Sequence, residues 1–359
     1  MVNVVNCSMN EFLDKSVEKE VIAFGAGRLL KSQYNRIGLK NIKCIVDSDP
    51  QKAGTSVEFD SVRVPIVGRE KLKELRNSRN AIIITITFAI DTVLEELDSY
   101  ENLDGMDCYL LPLMLNKDEG QNIAYLNGNM KIPKTIHYCW FGKTEIPQKL
   151  KEYMESWKKY CPDYEIIRWD ESNYDISKNK YMKEAYESKK WGFVPDYARI
   201  DIVYQYGGIY LDTDVEIVKS FDDLLFTSSF MGYTDQHDVA LGLGFGAEKG
   251  NPLLGDMRNY YEDKRFIKLD GGLDLRMCIE YQLPVLKKWG FQLDGIQEII
   301  EGNAIYPREV FNPLGRFGVN ALFTENTHSI HHAEISWESE ENRRLYRESI
   351  AKIKERIKL

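Results

Sequence analysis

No Cys-x-x-Cys pair occurs in this chain, and its six cysteines (Cys7, Cys44, Cys108, Cys139, Cys161, Cys278) lie far apart. That scatter excludes a zinc ribbon and a disulfide framework and suits a reducing cytoplasm. Long apolar runs are also missing. The longest, around Ala81 to Ile90, is broken by Thr85 and Thr87; it is too short for a bilayer and reads as a buried strand. The opening residues, Met1-Val-Asn-Val-Val-Asn-Cys-Ser, lack the basic segment and apolar core of a secretory signal. A cytoplasmic location is expected, at most peripheral at the inner face of a membrane. Positive charge is in deficit, 47 basic against 56 acidic residues for a net −9, which argues against a nucleic-acid partner. Histidine is scarce as well, so three of the five falling at His328, His331 and His332 carries information. What is present, 359 residues with 43% hydrophobic and 29% charged, has the balance of a globular protein and the length of two domains.

The first part alternates strand and helix signals. Glu20 to Phe24 is an apolar strand entering Gly25-Ala-Gly27, Arg28 to Ile37 a helix closed by Gly38, and Ile42 to Val46 a second strand ending at Asp47. Ala81 to Thr87 and Cys108 to Leu113 read as further strands. Strands spaced by helices predict an α/β domain with a parallel sheet. Gly25, Gly27 and Asp47 resemble the start of a dinucleotide-binding fingerprint, but Leu30 stands where the third glycine belongs. This Rossmann-like domain is therefore read as structural or regulatory rather than as a working cofactor site. The boundaries implied are 1–118 for that domain, 119–130 for a polar linker, 131–337 for a catalytic domain and 338–359 for a basic amphipathic helix.

The second part carries the chemistry. Pro195 can start a helix that places Asp196 and Arg199 three apart on one face, with Ile200, Val203 and Tyr204 on the packed side. Gly207-Gly208 ends it, and Ile209 to Leu211 is a short strand delivering Asp212 and Asp214. Residues two apart in an extended chain point the same way, so the two carboxylates can meet one divalent cation and its ligand. A histidine joining them adds a softer nitrogen donor, which favours Mn²⁺ over Mg²⁺. Both His331 and His332 are candidate ligands, and strand alternation lets one of them face the metal, preferably His331. Upstream, the strand Thr135 to Cys139 ends in Trp140-Phe141-Gly142, where a ring can stack on a nucleobase.

Together the Ile132-Pro-Lys-x-Ile-His-x-x-Trp140-Phe-Gly opening, the Asp196-x-x-Arg199 helix, the Gly207-Gly-x-Tyr-x-Asp212-x-Asp214 turn and the closing His331-His332-x-x-x-Ser336-Trp337 resemble glycosyltransferase family 32. The resemblance spans roughly residues 131 to 337 and omits the first domain. It implies a GT-A fold with a mainly parallel sheet, a nucleotide-sugar donor and retention of anomeric configuration. Carried over, Trp140 stacks on the base, while Asp196 and Arg199 hold the donor sugar and its phosphate end. Asp212 contacts ribose or sugar, Asp214 and His331 hold the metal, and Ser336 and Trp337 close over the pyrophosphate. The donor implied is UDP-galactose or UDP-glucose, with GDP-mannose as third candidate, and the acceptor a glycan or lipid-linked glycan of polysaccharide biosynthesis such as a capsule. Two other classes compete: an NAD(P)-dependent oxidoreductase built on Gly25, Gly27 and Asp47, and a non-catalytic carbohydrate-binding protein. The first leaves the later motifs unexplained; the second explains the aromatics but not Arg199 and the metal set.

From Glu341 to Leu359 seven basic side chains stand against three acids, and Tyr346, Ile350, Ile353 and Ile357 form one narrow apolar stripe. Such a helix can lie on an anionic membrane, or pack its stripe on the catalytic domain.

Overall fold

The computed structural model describes residues 1–37, 42–59, 62–86, 89–117, 120–315, 318–334 and 340–357. Gly38 and Thr87 lie outside the described residues. The chain forms two compact units, one from residues 1–119, 315–321 and 340–359, the other from residues 120–314 and 322–339. Both are α/β, the class expected from the sequence.

In the first unit β1 (Asn3–Val5), β2 (Glu20–Phe24), β3 (Ile42–Val46), β4 (Ser56–Phe59), β5 (Val62–Val67), β6 (Asn80–Ile84) and β7 (Asp107–Leu110) form one sheet. Their order is β1-β7-β6-β2-β3-β5-β4, and only the β4–β5 hairpin is antiparallel. The unbroken apolar runs of β2 and β6 are buried at every position from Val21 to Phe24 and from Ala81 to Ile84, as central parallel strands require. The expected strand Cys108 to Leu113 stops at Leu110. Pro112 lacks an N–H and starts the short helix Leu111–Met114 instead.

The helix Glu340–Arg356 belongs to this unit and not to the second. Ile353 and Ile357 are buried in the same apolar cluster as Ile82 and Ile84, with Ile350 packed against it. Arg356 Nη1 donates to Asp98 Oδ2 at 2.6 Å, Ser349 Oγ to Asp91 Oδ1 at 2.7 Å, and Lys352 Nζ to Glu95 Oε1 at 2.8 Å. The stripe that the sequence offers to a membrane or to the catalytic domain is thus covered by the helix Ile90–Asp98 and the strands beneath it.

In the second unit β8 (Thr135–Cys139), β9 (Glu165–Trp169), β10 (Gly208–Tyr210), β11 (Val215–Ile217), β12 (Ser229–Gly232), β13 (Phe245–Ala247), β14 (Glu298–Ile300), β15 (Asn303–Tyr306) and β16 (Ser329–His331) make two sheets. The large one runs β14-β15-β12-β13-β10-β8-β9, and β11 pairs with β16 alone. The large sheet is mixed rather than mainly parallel: β8–β9, β8–β10 and β12–β15 are parallel, while β10–β13, β12–β13 and β14–β15 are antiparallel. Between β12 and β13 the chain makes only the single turn Leu241–Leu243, too little for a helical crossover, so β13 returns antiparallel. Residues 120–129 are not a free linker. The Gln121 N–H donates to Glu309 Oε1 at 2.7 Å, and Ala124 exchanges hydrogen bonds with the Gln297 side chain at 2.7 and 2.8 Å, all within this unit.

The helix Pro195–Tyr206 differs from its expected one-sided packing: every residue from Asp196 to Val203 is buried. It lies against β8 and β10 on one side and the helices Lys180–Glu187 and Pro252–Asn259 on the other. Its buried charges are therefore paired. Asp201 meets Arg258 Nε at 2.6 Å and accepts from Tyr174 Oη at 2.7 Å. Gly207 and Gly208 leave the helix at φ +73° and +101°. A Cβ on Gly208 would stand 2.7 Å from the Thr135 carbonyl, so only glycine lets β10 close onto β8.

Burial of the terminal stripe makes a testable contrast. Ile353→Ala should cost the first unit about 2–4 kcal/mol in denaturant unfolding. Lys352→Ala, which breaks an exposed ion pair, should change it by less than about 1 kcal/mol. Equal, small effects would mean that the helix is not part of this core.

Candidate active site

The Asp-x-Asp turn is delivered by the carboxyl end of β10 in one sheet and completed by another sheet. Leu211 N–H donates to the His137 carbonyl at 3.0 Å, extending the β8–β10 pairing one residue. The chain then turns through Asp212, whose carbonyl accepts from Val215 N–H at 3.2 Å, and enters β11. In the β11–β16 ladder Val215 faces His331, and His332 N–H donates to the Asp214 carbonyl at 3.0 Å. This register carries a histidine from far along the chain to the carboxylates.

Asp212, Asp214 and His331 each offer a ligand atom, all within 4.8 Å of one another. His331 Nε2 lies 3.4 Å from Asp214 Oδ1. The other Asp214 oxygen accepts the Glu334 N–H at 3.0 Å, which fixes the carboxylate plane and leaves Oδ1 turned to the histidine. Two hard oxygens and one imidazole nitrogen fit a divalent cation such as Mn²⁺. His332 does not join them. Its Nε2 lies 2.9 Å from Glu216 Oε2 and its ring stacks on Tyr153 at 4.0 Å. Of the two candidate histidines His331 is the one that faces the carboxylates, and His332 is corrected from candidate ligand to partner of Glu216, because neighbouring side chains along a strand point to opposite faces.

Behind the cluster sits Arg199. Its Nη2 donates to Asp196 Oδ1 at 2.9 Å, its Nη1 lies 3.5 Å from Asp212 Oδ2, and its Nε donates to the Pro195 carbonyl at 3.1 Å. The guanidinium lies 5.3 Å from the centroid of the Tyr210 ring. With 5% of its side chain exposed, it is a buried cation shared by two carboxylates. Burial pushes the Asp196 carboxyl up to about 7, with Asp212 adding to the rise and Arg199 opposing it. Asp212 is raised as well, by burial first and then by Asp214.

Asp196 and Arg199 thus adjoin the Asp-x-Asp turn, as their spacing predicts. Trp140 is part-exposed at the end of β8, and its indole N–H donates to the Thr144 carbonyl at 2.8 Å. Among the described residues the fully buried core tryptophan is Trp157. Ser336 and Trp337 lie outside the described residues. Two contributors were missed. Glu334 acts through its backbone, which no side-chain pattern reveals. Tyr210 carries the arginine, yet reads as an ordinary strand residue. Gly242 borders the site: a Cβ there would stand 2.5 Å from Asp212 Oδ2 and 3.2 Å from Arg199 Nη1.

Two variants test this arrangement. His331→Ala should weaken Mn²⁺ binding at least roughly tenfold by calorimetry, while His332→Ala leaves it nearly unchanged; equal losses would sink the assignment. Gly242→Ala should fold and lower donor turnover on the order of a hundredfold, because it displaces Asp212. Full activity would show that the carboxylate position does not matter.

Residues 147–231 match the family described as "Glycosyltransferase sugar-binding region containing DXD motif". The chain is 34% identical over 150 residues to inositol phosphoceramide mannosyltransferase 3 of Schizosaccharomyces pombe, covering 41% of this chain and 42% of that one. It is 35% identical over 114 residues to the mannosyl phosphorylinositol ceramide synthase SUR1 of Saccharomyces cerevisiae, covering 30% of this chain and 29% of that one. It thus spans less than half the length of these relatives. A solved structure, the PaToxG glycosyltransferase, is 20% identical with a TM-score of 0.33, over 44% of this chain and 69% of that one. So loose a superposition defines nothing beyond what the strand order already shows. The matched segment, with its Asp-x-Asp turn, is similar to a glycosyltransferase sugar-binding region.

Proposed function

We propose that the second unit transfers a hexose from a nucleotide sugar to a hydroxyl acceptor, with retention of configuration and with a divalent cation. The observation that carries this reading is the single constellation of Asp212, Asp214 and His331 with Arg199 reaching Asp212 from behind. The matched glycosyltransferase segment, residues 147–231, contains all of it but His331.

The chain's residues divide the work by charge. Asp214, held by the Glu334 amide, and His331 would hold the ion, with Asp212 beside them. When bound, that ion supplies positive charge to the donor diphosphate. Arg199 is fixed by Asp196 and Pro195, so its charge needs no reorganisation as the phosphate becomes anionic. Asp212 is positioned for sugar or ribose hydroxyls, and Trp140 offers a part-exposed ring for the base. The anomeric C–O bond to phosphate breaks as the acceptor oxygen bonds to the same face. The acceptor proton passes to the departing phosphate oxygen. A glycosidase, by contrast, would set two carboxylates across the bond and would have no use for a buried arginine.

The sequence favours a UDP-hexose, but relatives named as mannosyl-transferring point to mannose, and their acceptor, an inositol phosphoceramide, to a lipid-linked hydroxyl. We take mannose and a lipid-linked or glycan acceptor as the substrates. Membrane contact and a cytoplasmic location belong to the same proposal.

Purified protein with Mn²⁺ should hydrolyse GDP-mannose faster than UDP-galactose or UDP-glucose, and release the α-anomer first by NMR. Asp214→Asn should lower turnover by at least roughly a hundredfold. Undiminished turnover in a chelator, or in a folded Asp214→Asn protein, would overturn the reading.

A further inference from the structure

The first unit contains a cavity of about 340 Å³ that the transferase reading does not use. It opens above the carboxyl ends of β2 and β3, beside the point where the strand order reverses between β2 and β6. Open α/β sheets bind ligands in that crevice. Gly25 forms its floor at φ +106°, where a Cβ would stand 2.3 Å from Ile86 Cγ2. Gly27 faces open space, with nothing within 4 Å of its Cβ position. From Gly27 the chain enters the helix Arg28–Ile37. Across the cavity Ala89, a non-glycine residue at φ +54°, starts the helix Ile90–Asp98 with no side-chain cap. Two helix N-termini, each a positive dipole end, thus meet one cavity.

The side chains narrow the ligand. Lys52 and Arg69 stand at the rim, each about half exposed. Arg69 is poised there by Ser48 Oγ at 2.8 Å and Glu96 at 3.2 Å. Asp47, the acid that would hold a dinucleotide ribose, is already committed. One of its oxygens accepts from Ala26 N–H and the other from Asp49 N–H, both at 2.9 Å, and Lys52 reaches both at 3.1 and 3.2 Å. It fastens the glycine turn instead of waiting for a diol. The volume is at the small end for ligand sites.

We infer that this cavity binds a compact phosphate monoester, a mononucleotide or a hexose phosphate, with its phosphate between Gly27 and Ala89 and facing Arg69. The bound molecule undergoes no chemistry there. This site is separate from the donor site and does not rest on the transferase reading.

Calorimetry on the intact protein in EDTA tests it, with UMP, AMP, glucose 1-phosphate, uridine and inorganic phosphate as probes. At least one phosphate ester should bind as one equivalent with Kd below about 1 mM and be displaced by inorganic phosphate. Preference for UMP or AMP identifies a nucleotide site, and preference for glucose 1-phosphate a sugar-phosphate site. Arg69→Ala should weaken binding at least roughly tenfold, and Asp214→Asn should leave it unchanged. Gly27→Ala should fold normally, since its methyl meets nothing, and weaken binding because that methyl occupies the phosphate's space. The inference fails if no ester binds, or if uridine binds as well as UMP. It fails equally if binding survives Arg69→Ala and Gly27→Ala, or disappears in Asp214→Asn.

Discussion

A buried guanidinium governs the second unit. Arg199 has almost no contact with solvent, and a charge so placed is tolerated only with partners on hand. Asp196 supplies one from the same helix and Asp212 the other from the end of a strand. Helix, strand and turn must therefore arrive together. The helix has to be buried all round, the glycine pair has to turn it directly into β10, and Gly242 has to leave room for the second carboxylate. The charge cluster and the packing solution are the same object, so a change that loosens one loosens the other.

Much of this was legible because it is local. Pro195, the three-residue spacing of Asp196 and Arg199, Gly207-Gly208 and the Asp-x-Asp lie within twenty residues, and chain geometry alone relates them. The match over residues 147–231 falls on that same stretch. What sequence could not resolve was relations between distant segments. Which of two adjacent histidines turns inward depends on the β11–β16 register, and nothing in the His331-His332 pair itself records it. The partner of the basic helix was misread for a similar reason: its stripe shows that something covers it but not what, and Asp91, Glu95 and Asp98 lie some 250 residues earlier. The polar stretch 120–129 looked like a linker since its bonds are made by backbone groups and glutamines, which carry no apolar signal.

The glycine turn at Gly25 is the opposite case. Its resemblance to a cofactor fingerprint is genuine in backbone terms, yet the acid that completes the fingerprint is spent inside the protein, on Ala26 and Lys52. Residue types in the right order establish a shape. Whether their polar atoms remain available for a ligand is decided by neighbours a few residues on.

The first unit is discontinuous, and that has a consequence for its synthesis. Its sheet is complete by residue 110, but Ile353 and Ile357, which cover Ile82 and Ile84, are translated only after the whole second unit. A ribosome leaves the last few tens of residues in its tunnel. While the second unit emerges and folds, then, the older unit waits with an apolar flank uncovered. Its maturation is tied to the completion of the second unit, so a nascent chain stalled before residue 340 would keep an unfinished sheet, and would present itself to chaperones and proteases as incomplete.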